Sequence, residues 1–232
     1  MIQARFYLKE RIMAEHLKRD IDNLKKKLLT VGARVETSVR DAAVSISNHD
    51  PQLARQVIDR DVQIDYSEVE VEEECLKILA LHQPVAIDLR FIVAVLKINN
   101  DLERIGDLAV NLAERAMYLA AEPGLIMPDE LGEMAETAQS MLKNSLDALI
   151  EHNVELAHRV CQADDLVDEY NSKMYMKVQD AILADPKQIT QQINILSASR
   201  HIERIADHTT NIAEDVIYMI EGQIIRHRSG IA

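Results

Sequence analysis

The second half of this 232-residue chain repeats the first half, and this duplication is the strongest constraint on its fold. Residues 101–119 align with residues 201–219 at an offset of 100 positions. Upstream, residues 61–65 align with residues 164–168 at an offset of 103 positions. Matching segments in the same order at nearly the same offset indicate two copies of one supersecondary unit arranged in tandem.

Proline positions and hydrophobic periodicity predict the elements of each copy. Proline disfavours a helix interior, and a preceding Asp or Asn is a good N-cap. Breaks at the prolines and near residue 152 leave six helical segments, and alternating β patterns are absent. The predicted helices span residues 8–48, 51–81, 85–121, 128–151, 154–184 and 187–222. The sequence therefore predicts an all-α protein of two tandem three-helix bundles related by pseudo-twofold symmetry, with domains at 1–122 and 123–232.

Composition narrows the class of protein. The chain is 47% hydrophobic and only 3% aromatic, with six Gly and five Pro, which favours long helices over a turn-rich β-sandwich or a disordered chain. Two cysteines cannot form a disulfide framework, so we expect a reducing cytoplasm. The net charge of −13 disfavours nucleic acid as a partner. The basic segment 1–27 is a candidate for contact with an anionic partner or membrane, or is a solvated helix face.

Carboxylates form stripes on two helices of the first copy. At 100° per residue, Glu103 and Asp107 share a polar face, and Asp61 and Asp65 share another on the preceding helix. Like charges at i,i+4 cost a few tenths of a kcal/mol on an isolated helix, so repeating them in both copies needs an offsetting reason. A hard cation is one such reason, because carboxylates three or four residues apart can share it. The candidate metal ligands are Asp61, Asp65, Glu103, Asp107, Asp164, Asp168, Glu203 and Asp207.

A solvated acidic face is the alternative interpretation of these stripes. Arg104 and Arg204 lie beside the carboxylates in sequence and could neutralise part of their charge. His201 and His208 flank the second motif, but their positions on the helical wheel favour packing or surface roles over ligation.

These residues resemble the PhoU family of bacterial phosphate-uptake regulators. The similarity rests on Glu-x-x-x-Asp in the last helix of each copy, at Glu103–Asp107 and Glu203–Asp207, and on the paired aspartates of the helix before it. Gln83-Pro84 leading to Asp88-Leu89-Arg90 also matches. The second copy has no counterpart of Asp88-Leu89-Arg90, so a site that depends on Asp88 or Arg90 would exist only in the first.

The resemblance implies a function that the residue patterns alone do not. It implies a cytoplasmic regulator, dimeric and peripherally associated with the membrane through its partners. These partners would be the ATPase subunit of the phosphate ABC transporter and the phosphate-sensor histidine kinase. The regulator would repress that kinase's output when phosphate is plentiful, and multinuclear clusters of divalent or iron ions would occupy the acidic faces.

Other function classes remain open at this point. A di-iron oxidase or ferroxidase needs Glu-x-x-His on two helices, and the chain has one, Glu155 to His158. A metal-free structural adaptor is the third class. The chain contains no Walker loop, Gly-rich dinucleotide turn or nucleophile elbow, and we expect it not to be an enzyme.

Overall fold

The structure is a computed structural model that describes residues 2–121, 125 and 127–222. Every secondary-structure element in this part of the chain is a helix, which confirms the all-α prediction. The α-helices are α1 (Ile2–Ser47), α2 (Pro51–His82), α3 (Ala86–Ala120), α4 (Asp129–Glu151), α5 (Val154–Ala184) and α6 (Ile189–Glu221), with a 3-10 turn at Pro186–Gln188 before α6.

Side-chain caps explain where several helices begin. Asp50 Oδ1 accepts hydrogen bonds from the backbone N–H groups of Gln52 and Leu53 at 3.0 and 2.9 Å, so α2 begins with Pro51 in its first turn. Asn153 Oδ1 accepts from the N–H of Leu156 at 3.0 Å and starts α5. The breaks predicted at these two corners are therefore confirmed.

Two predicted boundaries need comment. The first helix was predicted to begin at residue 8, and this is wrong, because α1 begins at Ile2. Residues 2–8 contain neither proline nor glycine, so nothing in this segment terminates the helix. The predicted domain boundary between residues 122 and 123 lies outside the described residues.

The six helices pack as two bundles. Helices α1, α2 and α3 contact one another, as do α4, α5 and α6, and α3 packs along α6 to join the two repeats. Helix α1 also contacts α4. Aliphatic side chains fill both bundles, as the low aromatic content predicts, and the largest fully buried ones include Leu24, Leu28, Ile64, Ile92, Ile105, Leu112, Met134 and Met141.

Polar contacts between α3 and α6 fix the direction in which these helices cross. Lys97 on α3 pairs with Asp215 on α6 at 3.1 Å, and Arg115 donates to Asn194 Oδ1 at 3.1 Å. Early residues of α3 thus face late residues of α6, so the helices are antiparallel, which is the arrangement that a pseudo-twofold axis perpendicular to them produces. None of the described helices is both long enough and apolar enough to span a bilayer.

Candidate functional site

The first predicted acidic face forms where α2 packs on α3. The pKa of Asp61 rises to about 6, first because the carboxyl is partly buried and then because Asp65, Asp107 and Glu103 repel its charge. The structure therefore brings these four carboxylates of α2 and α3 into one electrostatic group. We call this group the first acidic face.

The second repeat reproduces this arrangement on α5 and α6. The pKa of Asp164 rises to about 6 through burial and through the charges of Asp207, Asp168, Asp165 and Glu203. Burial also raises the pKa values of Glu203 and Asp207 above their ordinary range. Asp164, Asp168, Glu203 and Asp207 form the second acidic face.

Close packing of α2 on α3 produces the burial of Asp61. Gly106 faces α2, and a Cβ at this position would lie 3.4 Å from Ile64 Cδ1 and 3.5 Å from Asp61 Oδ1. Water is therefore excluded from one side of the carboxyl, which raises the cost of its charge. The second repeat has Ala206 at the equivalent position.

Arginine neutralises part of the first face. Arg104 lies 3.4 Å from Glu103 Oε2 and 3.7 Å from Asp107 Oδ2, so the local ion pairs considered for Arg104 do form. Arg104 is itself 54% exposed and the contacts are long, so solvent screens them. Burial nevertheless dominates at Glu103, whose pKa remains raised.

The donor atoms of the two faces are of the type that a hard cation prefers, but their positions do not form a coordination site. Each face offers half-buried carboxylate oxygens, which are the ligands that Ca²⁺, Mg²⁺ and Mn²⁺ prefer. Among the described residues, however, no three His, Cys, Asp or Glu side chains converge on a point where they could hold one ion. Their charge and chemistry thus suit a cation, whereas their positions do not define a closed coordination site.

The two faces differ beyond their shared carboxylates. In the first repeat Asn99, which is 1% exposed, donates to the backbone oxygen of Glu68 at 3.0 Å and to its carboxylate at 3.3 Å. The equivalent pair in the second repeat is Ser199 and Asn171, which are joined at 2.7 Å. The second face therefore lacks the additional carboxylate that Glu68 supplies to the first.

Sequence reasoning missed the link between the repeats that lies beside both faces. His208 Nδ1 lies 2.8 Å from Asp101 Oδ1, and Asn211 Nδ2 lies 3.4 Å from the same oxygen. Asp101 is 7% exposed. The expectation that His208 has a packing role agrees with this contact, but a partner on another helix has no local sequence signal.

The Asp88-Leu89-Arg90 segment lies far from the acidic stripes, at the start of α3. Arg90 packs against the end of α6, where a Cβ on Gly222 would come within 3.0 Å of its Nη1. Asp88 lies in the first turn of α3, where a negative charge favours the helix dipole.

The ligand pair required by the oxidase alternative is placed unfavourably. Glu155 and His158 are both exposed on α5. A di-iron bundle needs such residues to project into the bundle interior. Their exposure does not fit that class of site.

Comparison with known proteins gives one consistent result. The PhoU domain model matches residues 28–116 and 131–216, one match in each repeat. A protein of Pseudomonas aeruginosa named phosphate-specific transport system accessory protein PhoU homolog is 36% identical over 219 residues, covering 93% of this chain and 89% of that protein. A protein of the same name from Aquifex aeolicus is 36% identical over 210 residues, covering 90% and 95%.

Solved structures agree with the sequence comparisons. The crystal structure of PhoU from Pseudomonas aeruginosa superposes with a TM-score of 0.86 at 37% identity, covering 89% of this chain and 99% of that one. The phosphate transport system regulatory protein PhoU from Streptococcus pneumoniae superposes with a TM-score of 0.81 at 26% identity, covering 90% and 99%.

Proposed function

We propose a function on the following basis: this chain belongs to the PhoU family, whose domain model matches both of its repeats. The protein is an accessory protein of a phosphate-specific transport system, and it acts in the cytoplasm by binding partners rather than by catalysis. The observation that carries this proposal is similarity over about nine-tenths of the chain to proteins that bear this name.

The finer proposal concerns what the accessory protein connects. We propose that it couples the ATPase subunit of the phosphate ABC transporter to the phosphate-sensor histidine kinase. With abundant phosphate it holds the kinase in its repressed mode, and it does so as a homodimer associated with the membrane through these partners. Two similar bundles suit this role, because each repeat can present a separate surface.

We further propose that the acidic faces bind divalent or iron cations. Asp61, Asp65, Glu103 and Asp107 would hold them on the first face, and Asp164, Asp168, Glu203 and Asp207 on the second. A bound cation would supply positive charge where carboxylates now repel one another. The support is that each face brings four carboxylates together. The pKa of Asp61 and of Asp164 is raised first by burial and then by repulsion from these neighbours, and a cation would relieve that repulsion.

Deletion of the gene tests the regulatory proposal. We expect constitutive expression of phosphate-starvation genes in high phosphate, restored to repression by the wild-type gene on a plasmid. Normal repression in the deletion strain would contradict the proposal.

The cation proposal has a separate test. We expect stoichiometric metal in the purified protein by mass spectrometry, and its loss from a variant carrying Asp61→Asn, Asp107→Asn, Asp164→Asn and Asp207→Asn. A matched control carries Asp59→Asn and Asp180→Asn, which change exposed aspartates of α2 and α5 that belong to neither acidic face. A quadruple variant that retains as much metal as wild type would exclude these faces.

A further inference from the structure

A cavity of about 480 Å³ opens between the end of α1 and the start of α4, so residues of both repeats line it. Its floor is apolar and includes the core side chains Ile46, Leu131 and Ile202, each of which is at most 3% exposed. The volume is within the range of about 300–1,000 Å³ that is typical of small-molecule sites. Because Gly132 lies in its wall, we call it the Gly132 cavity.

The absence of a side chain at Gly132 helps to keep this cavity open. Apart from the backbone of α4 itself, no atom lies within 4 Å of the place that a Cβ would occupy at this residue. Glycine inside a helix is unfavourable relative to alanine. The first repeat has Leu29 at the equivalent position, 103 residues earlier. The fold therefore accommodates a large side chain at this position, and the packing of α4 does not require glycine there.

The pseudo-twofold axis relates the Gly132 cavity to a smaller one between the opposite ends of α1 and α4. The smaller cavity has a volume of about 100 Å³, and the residues that line it include Leu29, Ile150 and Lys25. In the Gly132 cavity, Gly132 stands at the position equivalent to Leu29, and Ser47 stands at the position equivalent to Ile150. The larger volume is thus specified by the residues of this cavity and not by the architecture that both repeats share.

The rim of the Gly132 cavity is acidic. Asp129, Glu133 and Glu136 line it from α4, and all three are exposed. None of the described residues that line the cavity is Lys or Arg. The equivalent positions of α1 carry no carboxylate and are occupied by Lys26, Thr30 and Ala33. The acidic rim is therefore specific to the second repeat, and its charge attracts cations.

The combination of an apolar floor and an extended acidic rim selects among cations. Asp129 and Glu136 are seven residues apart, which is about 10 Å along α4. A metal ion would gain nothing from the apolar floor, and a single basic side chain of a partner would meet only part of the rim. A flexible aliphatic polyamine matches both features, because its methylene chains contact apolar surface while its ammonium groups pair with carboxylates.

We propose that the Gly132 cavity binds an aliphatic polyamine, a small organic cation with two or more ammonium groups on a methylene chain. The ligand contacts α1 of the first repeat and α4 of the second, so it links the two repeats. Because it binds the folded chain, it also stabilises that chain by mass action. This inference is independent of the proposed regulatory function, which involves macromolecular partners.

Filling the cavity tests the site. Isothermal titration calorimetry measures the binding of spermidine to the full-length protein in metal-free buffer at constant ionic strength. Gly132→Leu introduces the side chain that the first repeat carries at this position, and we expect it to weaken binding at least about tenfold without loss of helical circular dichroism. The matched control Gly132→Ala leaves most of the cavity open and should bind like wild type. Wild type that does not bind spermidine, or Gly132→Leu that binds it as tightly as wild type, would overturn the proposal.

A second pair of variants tests the acidic rim. Asp129→Asn, Glu136→Gln should weaken spermidine binding about tenfold, because it removes two of the carboxylates that pair with ammonium groups. Glu133 is retained, since it also forms a hydrogen bond with Tyr170 on α5. The control Asp22→Asn, Glu73→Gln changes the net charge equally at exposed positions of α1 and α2 outside the cavity and should have little effect. Equal losses from the two variants would show that net charge alone attracts spermidine.

Two comparisons fix the ligand class and separate this site from the acidic faces. Butylamine carries one ammonium group and should bind at least about tenfold more weakly than spermidine, whereas equal affinity would exclude a polyamine as the specific ligand. The variant carrying Asp61→Asn, Asp107→Asn, Asp164→Asn and Asp207→Asn should keep the spermidine site. Loss of binding in that variant but not in Gly132→Leu would place spermidine on the acidic faces and overturn the proposal.

Discussion

Lys177 on α5 lies 2.6 Å from Oε1 of Glu130 on α4. An ion pair at the same place in the first repeat has its acidic and basic residues exchanged. At the equivalent positions, 103 residues earlier, Lys27 on α1 lies 3.9 Å from Glu74 on α2. The basic residue is on the first helix of one bundle and on the second helix of the other. Both repeats therefore have a pair of opposite charges at this place, but the helix that carries the basic residue differs between them.

Exchanging the two charges of the second repeat should be partly tolerated. Glu130→Lys alone should lower the free energy of unfolding by about 0.5–1 kcal/mol, because it places two cations together on a partly exposed surface. The double variant Glu130→Lys, Lys177→Glu should recover part of this loss, and the remainder reflects a lysine in the first turn of α4, where the helix dipole favours a negative charge. Urea unfolding monitored by circular dichroism measures both, and a double variant as unstable as the single one would contradict this account.

Without bound metal, the pH dependence of stability should reflect the two partly buried aspartates, Asp61 and Asp164. The pKa of Asp61 and of Asp164 is about 6 in the folded protein, against about 3.9 for an unfolded Asp. The folded protein thus holds more protons between about pH 4 and 6. These groups therefore make the free energy of unfolding fall as the pH rises through that window.

Asp61→Asn and Asp164→Asn should each remove the part of this pH dependence that its own carboxyl contributes. Allowing for partial exposure to solvent, we expect each to raise stability at pH 7 by about 1 kcal/mol relative to wild type in the presence of a chelator, with little difference at pH 4. Thermal unfolding across this range measures the change. Asp180→Asn, which changes an exposed aspartate of α5 outside both acidic faces, is the control, and an equal gain from it would remove burial as the cause.

Local sequence signals predicted the helices and the acidic faces, but not the contacts between repeats. Asp50 and Asn153 act on neighbouring backbone N–H groups, so their roles are visible in sequence. Glu103 and Asp107 share a helical face by spacing alone. The contact of Asp101 with His208 joins residues 107 positions apart, and it depends on how α3 crosses α6. No local periodicity encodes that crossing.

The contact between Lys97 and Asp215 should stabilise the junction of the repeats. Asp215 is 2% exposed and pairs with Lys97 at 3.1 Å across α3 and α6. Lys97→Met should lower the free energy of unfolding by about 1–2 kcal/mol, because a buried carboxylate loses a cation while Lys97 itself is partly exposed. Lys143→Met, which removes an exposed i,i+4 pair with Asp147, should cost less than about 0.5 kcal/mol. Equal losses in urea unfolding would show that burial of Asp215 has no effect.

Gly106 and Gly222 should respond to the same substitution with opposite sign. Gly106 is inside α3, a new Cβ would contact Ile64 at 3.4 Å, and the second repeat accommodates Ala206 at this position. Gly106→Ala should therefore raise stability by about 0.5 kcal/mol, since alanine favours the helix by up to about 1 kcal/mol. Gly222 ends α6 at a φ of +73°, where a Cβ is strained, so Gly222→Ala should lower stability by about 1 kcal/mol. Thermal unfolding of the two variants measures both shifts, and a loss of stability at Gly106 would show that α2 and α3 cannot accommodate a methyl group beside Asp61.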